Sequence, residues 1–237
     1  MKNFVFTLCC VCMLLATSTA SAQEARKLRV MTYNLRFGEL ASMQELAEFI
    51  NEQKPDIVAI QEVDCMTNRP AAKHQNGVNF VTELGYYTKM FPLYGKTIPH
   101  AGGWYGIGIL TKYPYISVEK TMLPRTGDNE PRALLQAKIE VGADTIVFAC
   151  THLDFTTSEA RMEQVAVIKE QLQKQPYPVI VGGDFNAEPD SPEISEEFKK
   201  WLPLSNENLT FSSSEPYCKI DYLFGFPAGN WKLLSTE

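Results

Sequence analysis

Polar residues close the apolar runs of this chain, and that pattern limits what it can fold into. Asn34 ends the run in MTYNLRF, and Glu62 ends the run in IVAIQEVD. His152 and Asp154 follow VFACT, Asp184 and Asn186 follow VIVGG, and Asp221 stands at the head of DYLFGF. Carboxylates, carboxamides and one imidazole gathered where β-type runs stop describe a sheet whose strand ends meet in a cleft. That is how a sheet presents a hydrolytic, metal-using site.

The runs follow one another along one domain, with no repeat, low-complexity stretch or linker. Strands are expected over 28–35, 57–63, 86–93, 105–111, 116–123, 132–141, 145–154, 177–181, 220–226 and 231–235, separated by turns rich in Gly, Pro and Asp. The spacing of Leu40, Met43, Leu46, Ala47 and Ile50 predicts a helix over 40–50. A short helix over 78–84 would be closed by Gly85. Met162, Val165, Ile168 and Leu172 share one face of a third helix over 158–173. Pro192, behind Asp190-Ser191, opens a fourth that runs through Phe198 and Trp201. Strands outnumber helices, and several adjoin without a helix between them. The expected class is α/β, a mixed sandwich rather than a strictly alternating barrel.

The first residues stand outside that core. Lys2 precedes the apolar run Phe4–Ala16, and Ala20-Ser21-Ala22 follows. This is a basic start, a short apolar region and an A-x-A-like cleavage site. The run is too short for a membrane span. Residues 1–22 are expected to be a signal peptide cleaved near Ala22. Residues 23–237 would then be exported to the periplasm or the medium as one domain. Cys9, Cys10 and Cys12 leave with the signal; the odd remainder Cys65, Cys150 and Cys218 argues against a full disulfide framework. The chain's net charge of −6 becomes one unit more negative when Lys2 is removed. An acidic surface repels polyanions, so nucleic acid is disfavoured as a partner unless a local basic patch overrides the balance.

Chemistry follows from residue type and spacing. Asp184 and Asn186 stand two apart, so in extended backbone they project to one face. There a carboxylate can deprotonate water and an amide can donate to a phosphoryl oxygen. The competing reading is an Asx turn in which both bond their own backbone. Gly182-Gly183 before them would let backbone or ligand approach closely. His152 and Asp154 repeat the spacing. A neutral imidazole at His152 either hydrogen-bonds a phosphate oxygen or ligates a metal, and the alternative is a histidine satisfied by a neighbouring carboxylate. Glu62, at the mouth of a buried strand, is either paired or binds a cation such as Mg²⁺. Asn34 alone reads as a turn residue. Arg132 opens a strand and faces either phosphate or a surface carboxylate. His74 and His100 read as solvated loop histidines. There is no G-x-S-x-G elbow, P-loop or G-x-G-x-x-G fingerprint.

The succession TYNLRFG, IVAIQEVD, YGIGILTKYP, THLDF, GGDFNAEPDSP and KIDYLF resembles the endonuclease/exonuclease/phosphatase superfamily, the deoxyribonuclease-I-like proteins. The resemblance implies a four-layer α/β sandwich: two mixed, mainly antiparallel sheets flanked by helices. It also implies phosphoester hydrolysis with Mg²⁺, or with Mn²⁺ as the alternative. By that resemblance Glu62 is the metal carboxylate and Asn34 lies beside metal and phosphate. His152 contacts the scissile phosphate, Asp184 orients the attacking water and Asn186 stabilises the transition state. Arg132 and Asp154 are expected among the substrate contacts. Asp221 matches the aspartate that orients a histidine in a Ser-Asp-His motif. No histidine follows His152 here, so a C-terminally incomplete domain is expected, poorly soluble or marginally stable, with a natural pseudoenzyme as the alternative. The expected activity is an exported metal-dependent phosphoesterase acting on a small or lipid-derived phosphodiester or phosphomonoester, as a monomer. A secreted nuclease and an inactive binding module are the alternatives.

Overall fold

A computed structural model describes residues 26–236. The signal peptide expected over 1–22, with its cleavage point, lies outside the described residues. Four strands form one sheet: β1 (Val30–Asn34), β2 (Ile57–Cys65), β3 (Phe91–His100) and β4 (Gly103–Thr111), in the order β1-β2-β4-β3. Six form the other: β5 (Tyr115–Met122), β6 (Ala133–Val141), β7 (Asp144–His152), β8 (Val179–Asp184), β9 (Leu202–Pro203) and β10 (Asp221–Phe226), in the order β5-β6-β7-β8-β10-β9. Each sheet has one parallel pair, β1 with β2 and β7 with β8, and is otherwise antiparallel.

The helices are α1 (Met43–Gln53), α2 (Phe80–Thr88), α3 (Ser158–Gln173) and the single turn α4 (Pro192–Ser195). Three hydrophobic layers hold the sandwich together. Ile57, Ala59, Ile109, Leu135, Phe148 and Leu223 fill the space between the sheets. Leu46, Ile50, Val58, Ile60, Phe80 and Leu84 fix α1 and α2 to the smaller sheet. Val165, Ile168, Leu172, Val181 and Phe185 fix α3 to the larger. Along β2 the alternation sends Ile57 and Ala59 inward and Val58 and Ile60 toward the helices, so both faces are buried. The expected four-layer sandwich is the fold observed.

Several elements differ from the sequence reading. The helix expected over 40–50 starts later because Ser42 caps it: its hydroxyl accepts from Glu45 N while the Glu45 carboxylate accepts from Ser42 N. The strand expected over 86–93 begins only at Phe91, where β3 opens; residues 86–88 are instead the end of α2, which runs through Gly85 to Thr88. Gly85 is a packing position rather than a stop: a Cβ there would meet Met90 O at 2.9 Å. The fourth helix stops after one turn, because Phe198 and Trp201 leave it to stack in an aromatic cluster with Phe185, Phe224 and Phe226. No strand forms over 231–235. Trp231 lies against Gly225, where a Cβ would meet its ring at 2.7 Å, and packs onto the core between the sheets.

Candidate active site

The site forms where the two sheets share one open end. Asn34 is the last residue of β1, His152 the last of β7 and Asp184 the last of β8. Register places His152 beside Asp184 across the parallel β7–β8 pair, and Asp221 beside Asp184 across the antiparallel β8–β10 pair. Three titratable side chains thus stand in one row of the larger sheet. Asn34 joins them from the smaller sheet: its Nδ2 donates to Asp184 Oδ2 and to Glu62 Oε1, each at 3.0 Å. The carboxylate oxygens of Glu62 and Asp184 are therefore at most twice 3.0 Å apart. Asn34 Oδ1 in turn accepts from Arg36 N at 2.9 Å, which fixes the amide's orientation.

Glu62 reaches this point through a β-bulge. The ladder between β2 and β4 shifts register between Ile60 and Val63, and Glu62 takes a left-handed φ of 57°. The extra residue breaks the alternation and turns one carboxylate into the cleft. A non-glycine residue held in this region stores strain, which the surrounding ladder sustains. Glu62 is partly buried, and its pKa is raised by that burial and by Asp184, against the hydrogen bond from Asn34.

Asp184 is buried, and its Oδ1 accepts from Asn186 N at 2.9 Å. Burial and the facing Asp221 push its carboxyl up despite the bonds from Asn34 and Asn186. Asp221 is raised by burial as well, and its Oδ1 is buried without a hydrogen-bond partner among the described residues. Two carboxyls face to face cannot both ionise without cost, so this pair favours holding a proton.

His152 is 6% exposed. Arg132 Nη1 lies 3.1 Å from its Nδ1, while its Nε2 lies 3.7 Å from Asp184 Oδ2. Burial and the Arg132 charge lower its pKa well below the ordinary histidine value. The ring is neutral, so its approach to Asp184 is not an ion pair. Arg132 is itself buried; its Nη1 also lies 2.9 Å from Glu130 Oε1, a charge contact without hydrogen-bond alignment. It sits at the far end of the imidazole from Asp184 and is no surface residue.

Two expectations about side-chain direction change. Asn186 is not extended: its φ is 48°, its N–H bonds Asp184, and its Nδ2 donates to Leu153 O at 3.0 Å. The Asp184–Asn186 pair therefore adopts the Asx turn, and the premise of a common extended face fails. Asp154 lies past the end of β7 and is likewise the first residue of an Asx turn. Its carboxylate accepts from Thr156 N at 2.7 Å and from the Thr156 hydroxyl, bonds that hold its pKa low against the opposing effect of burial. These contacts fasten the loop that leads into α3. Gly183 admits neighbouring backbone rather than a ligand: a Cβ there would lie 2.1 Å from Thr151 O.

Sequence reasoning missed a neighbouring cluster. Arg69 forms a bidentate pair with the buried Asp64, at 2.8 and 2.9 Å, and its guanidinium lies 4.3 Å from the Phe37 ring and 5.2 Å from that of Tyr105. Arg36, Phe37 and Gly38 all have left-handed φ values, so the loop leaving Asn34 is sharply folded. Only Gly38 signals this in the sequence. His74 is exposed in a 3-10 turn, and His100 ends β3 with its ring 6.2 Å from Tyr105.

Among the described residues no three His, Cys, Asp or Glu side chains cluster as a self-sufficient metal cage. Glu62 and Asp184 offer hard carboxylate oxygens, bridged by the Asn34 NH₂, whose own Oδ1 is held by Arg36 N. Mg²⁺ is commonly held by one or two carboxylates, with water and substrate phosphate completing its shell. A dication would also relieve the crowding that raises Glu62 and Asp184. The residues present fit such an ion.

Residues 31–231 match the model of the Endonuclease/Exonuclease/phosphatase family. No curated protein matches. Among solved structures, the chain is similar to a functionally unknown conserved protein from Enterococcus faecalis (22% identity, TM-score 0.64, covering 84% of this chain and 87% of that one). It is similar to a mannosyl-6-phosphatase from Bacteroides thetaiotaomicron (18%, TM-score 0.62, 85% and 86%). It is also similar to the human Nocturnin catalytic domain with bound sulfate anion (17%, TM-score 0.61, 84% and 82%).

Proposed function

This chain belongs to the Endonuclease/Exonuclease/phosphatase family, a superfamily of phosphoester hydrolases, and on that premise we propose that it is an exported, Mg²⁺-dependent phosphoesterase. Mn²⁺ is the alternative ion. The observation that carries the reading is the Asn34 amide, which draws Glu62 of one sheet and Asp184 of the other into one oxygen-lined cleft.

Each residue takes a role that its environment allows. Glu62 and Asp184, bridged by the Asn34 amide, would hold the ion, which would supply charge neutralisation at the phosphoryl oxygens. Asp184 orients the attacking water and takes its proton. Neutral His152 donates through Nε2–H to a non-bridging oxygen without adding charge. The Asn186 backbone locks the Asp184 carboxylate in place. Net negative charge favours a small or lipid-derived phosphoester over duplex DNA.

The test is turnover of phosphomonoesters, small phosphodiesters and duplex DNA, with Mg²⁺ and with chelator. Chelator-sensitive hydrolysis of the small esters is expected, with Asp184→Asn lowering kcat by about 10²–10⁴-fold while the fold persists. No metal-dependent turnover of any ester would end the reading, and faster cleavage of DNA would reverse the substrate class. Export is checked by sequencing the N-terminus of secreted protein, which should begin near residue 23.

A further inference from the structure

The contact between Arg132 and His152 fixes which nitrogen of the imidazole carries the proton. A guanidinium has only donors, so Nδ1, at 3.1 Å from Arg132 Nη1, must offer its lone pair. A neutral ring that accepts at Nδ1 carries its hydrogen on Nε2, the nitrogen nearer Asp184. We infer that Arg132 is a positioning residue, which holds His152 as the neutral Nε2–H tautomer and so keeps a hydrogen-bond donor aimed into the cleft.

The backbone sets this arrangement, not a loose loop. Arg132 immediately precedes β6, whose Leu134 pairs with Thr151 of β7; continuing that register sets Ala133 opposite His152 and Arg132 one residue beyond, from where its side chain reaches the ring. Both residues are almost fully buried, and water does not compete for the contact. Glu130 lies 2.9 Å from the same Nη1 and balances its charge. An imidazolium would set an Nδ1–H against the guanidinium N–H, and the Nδ1–H tautomer would do the same. The third arrangement alone leaves no donor facing a donor. Arg132 therefore acts through the ring; to bind phosphate with that N–H it would have to abandon Nδ1.

The effect of this donor on turnover rests on the phosphoesterase reading, whereas the tautomer does not. The full chain has three histidines, His74, His100 and His152, so ¹⁵N-histidine NMR resolves them, with His152→Asn giving the assignment. Wild-type His152 should show a protonated Nε2 and an unprotonated Nδ1. Arg132→Gln should convert it to a mixture or to the Nδ1–H form, and should lower kcat/KM on the order of 10–100-fold. Arg132→Lys, which keeps charge and a donor, should restore much of the wild-type pattern. A wild-type ring protonated on Nδ1 overturns the inference whatever the variants do. So does a folded Arg132→Gln protein whose His152 keeps the Nε2–H form unchanged. The expected tautomer shift in a protein that hydrolyses no phosphoester supports the Arg132 assignment and overturns the phosphoesterase reading instead.

Discussion

Asp221 stands directly opposite Asp184 in the antiparallel ladder of β10 and β8, so two carboxyls share one row. Like charges directly opposite destabilise a strand pair by up to about 1 kcal/mol. Asp221→Asn removes one of them without changing shape. At pH 8, above both raised carboxyls, the metal-free variant should melt higher than wild type, by about 2–4 °C for a gain of that size in a domain of this length. Calorimetry in chelator checks it. An unchanged or lower melting temperature at that pH would mean that the two carboxylates do not repel across the ladder.

The same carboxyls give a pH dependence whose sign can be worked out. Unfolded Asp and Glu titrate near about 4. Folded, Asp184 is pushed up to about 7, and Glu62 and Asp221 are raised too. A raised pKa contributes stability that is complete below the unfolded value and is lost as pH rises through the folded one. These groups therefore weaken the metal-free protein between about pH 4 and 7. His152 acts in the opposite sense: its folded pKa is lowered, so its contribution is present above about 6.5 and is lost as pH falls. Comparing wild type with Asp184→Asn isolates the carboxyl effect. The variant's stability advantage should grow from pH 4 to 7 in urea melts, and added Mg²⁺ should erase it above pH 7. A constant difference across that range would sink the assignment.

Much of this arrangement could be read before the fold was known, for a physical reason. A polar residue that stops an apolar run is visible in sequence, and Asn34, His152 and Asp184 each end a strand. The periodic face of α3 is equally visible, and its bounds agree with expectation because Thr157 caps the start. What failed depends on backbone that composition does not encode. Glu62 reaches the cleft through a bulge with no glycine to mark it, and Asn186 turns left-handed where an extended pair was expected. Tyr86 and Tyr87 favour strands by type, yet the packing of Phe80 and Leu84 carries them into α2. Arg132 was readable as a cation near a strand, but only the pairing of β6 with β7 brings its guanidinium within reach of His152.

The bulge makes its own prediction. Within a regular strand, glycine is less stable than alanine by roughly 0.5–1 kcal/mol. At residue 62 the φ of 57° reverses that order, since a Cβ in the left-handed region costs about 1–2 kcal/mol. Glu62→Gly should therefore be more stable than Glu62→Ala by about 1 kcal/mol in denaturant melts, and both should lose Mg²⁺ binding by calorimetric titration. Alanine equal to glycine or better would show that the ladder straightens once the carboxylate is gone.

Asn34 gives the most direct test of how the two sheets are joined at the site. Its Nδ2 supplies both hydrogens that hold Glu62 and Asp184 together. Asn34→Asp keeps the shape, removes those donors and sets a third carboxylate between two already raised by burial. In chelator the variant should lose about 2 kcal/mol or more, the scale for leaving buried polar groups unpaired or facing like charge. Mg²⁺ should restore a larger share of stability than it adds to wild type, because the new oxygen is an additional hard donor. Asn34→Ala separates the two effects: it loses the bridge without adding charge, so it should fall less in chelator and gain less from the ion. Denaturant melts of the three proteins, with and without Mg²⁺, decide the matter. If Asn34→Asp is no less stable than Asn34→Ala in chelator, the carboxylates do not converge on this residue in solution, and the shared cleft is wrong.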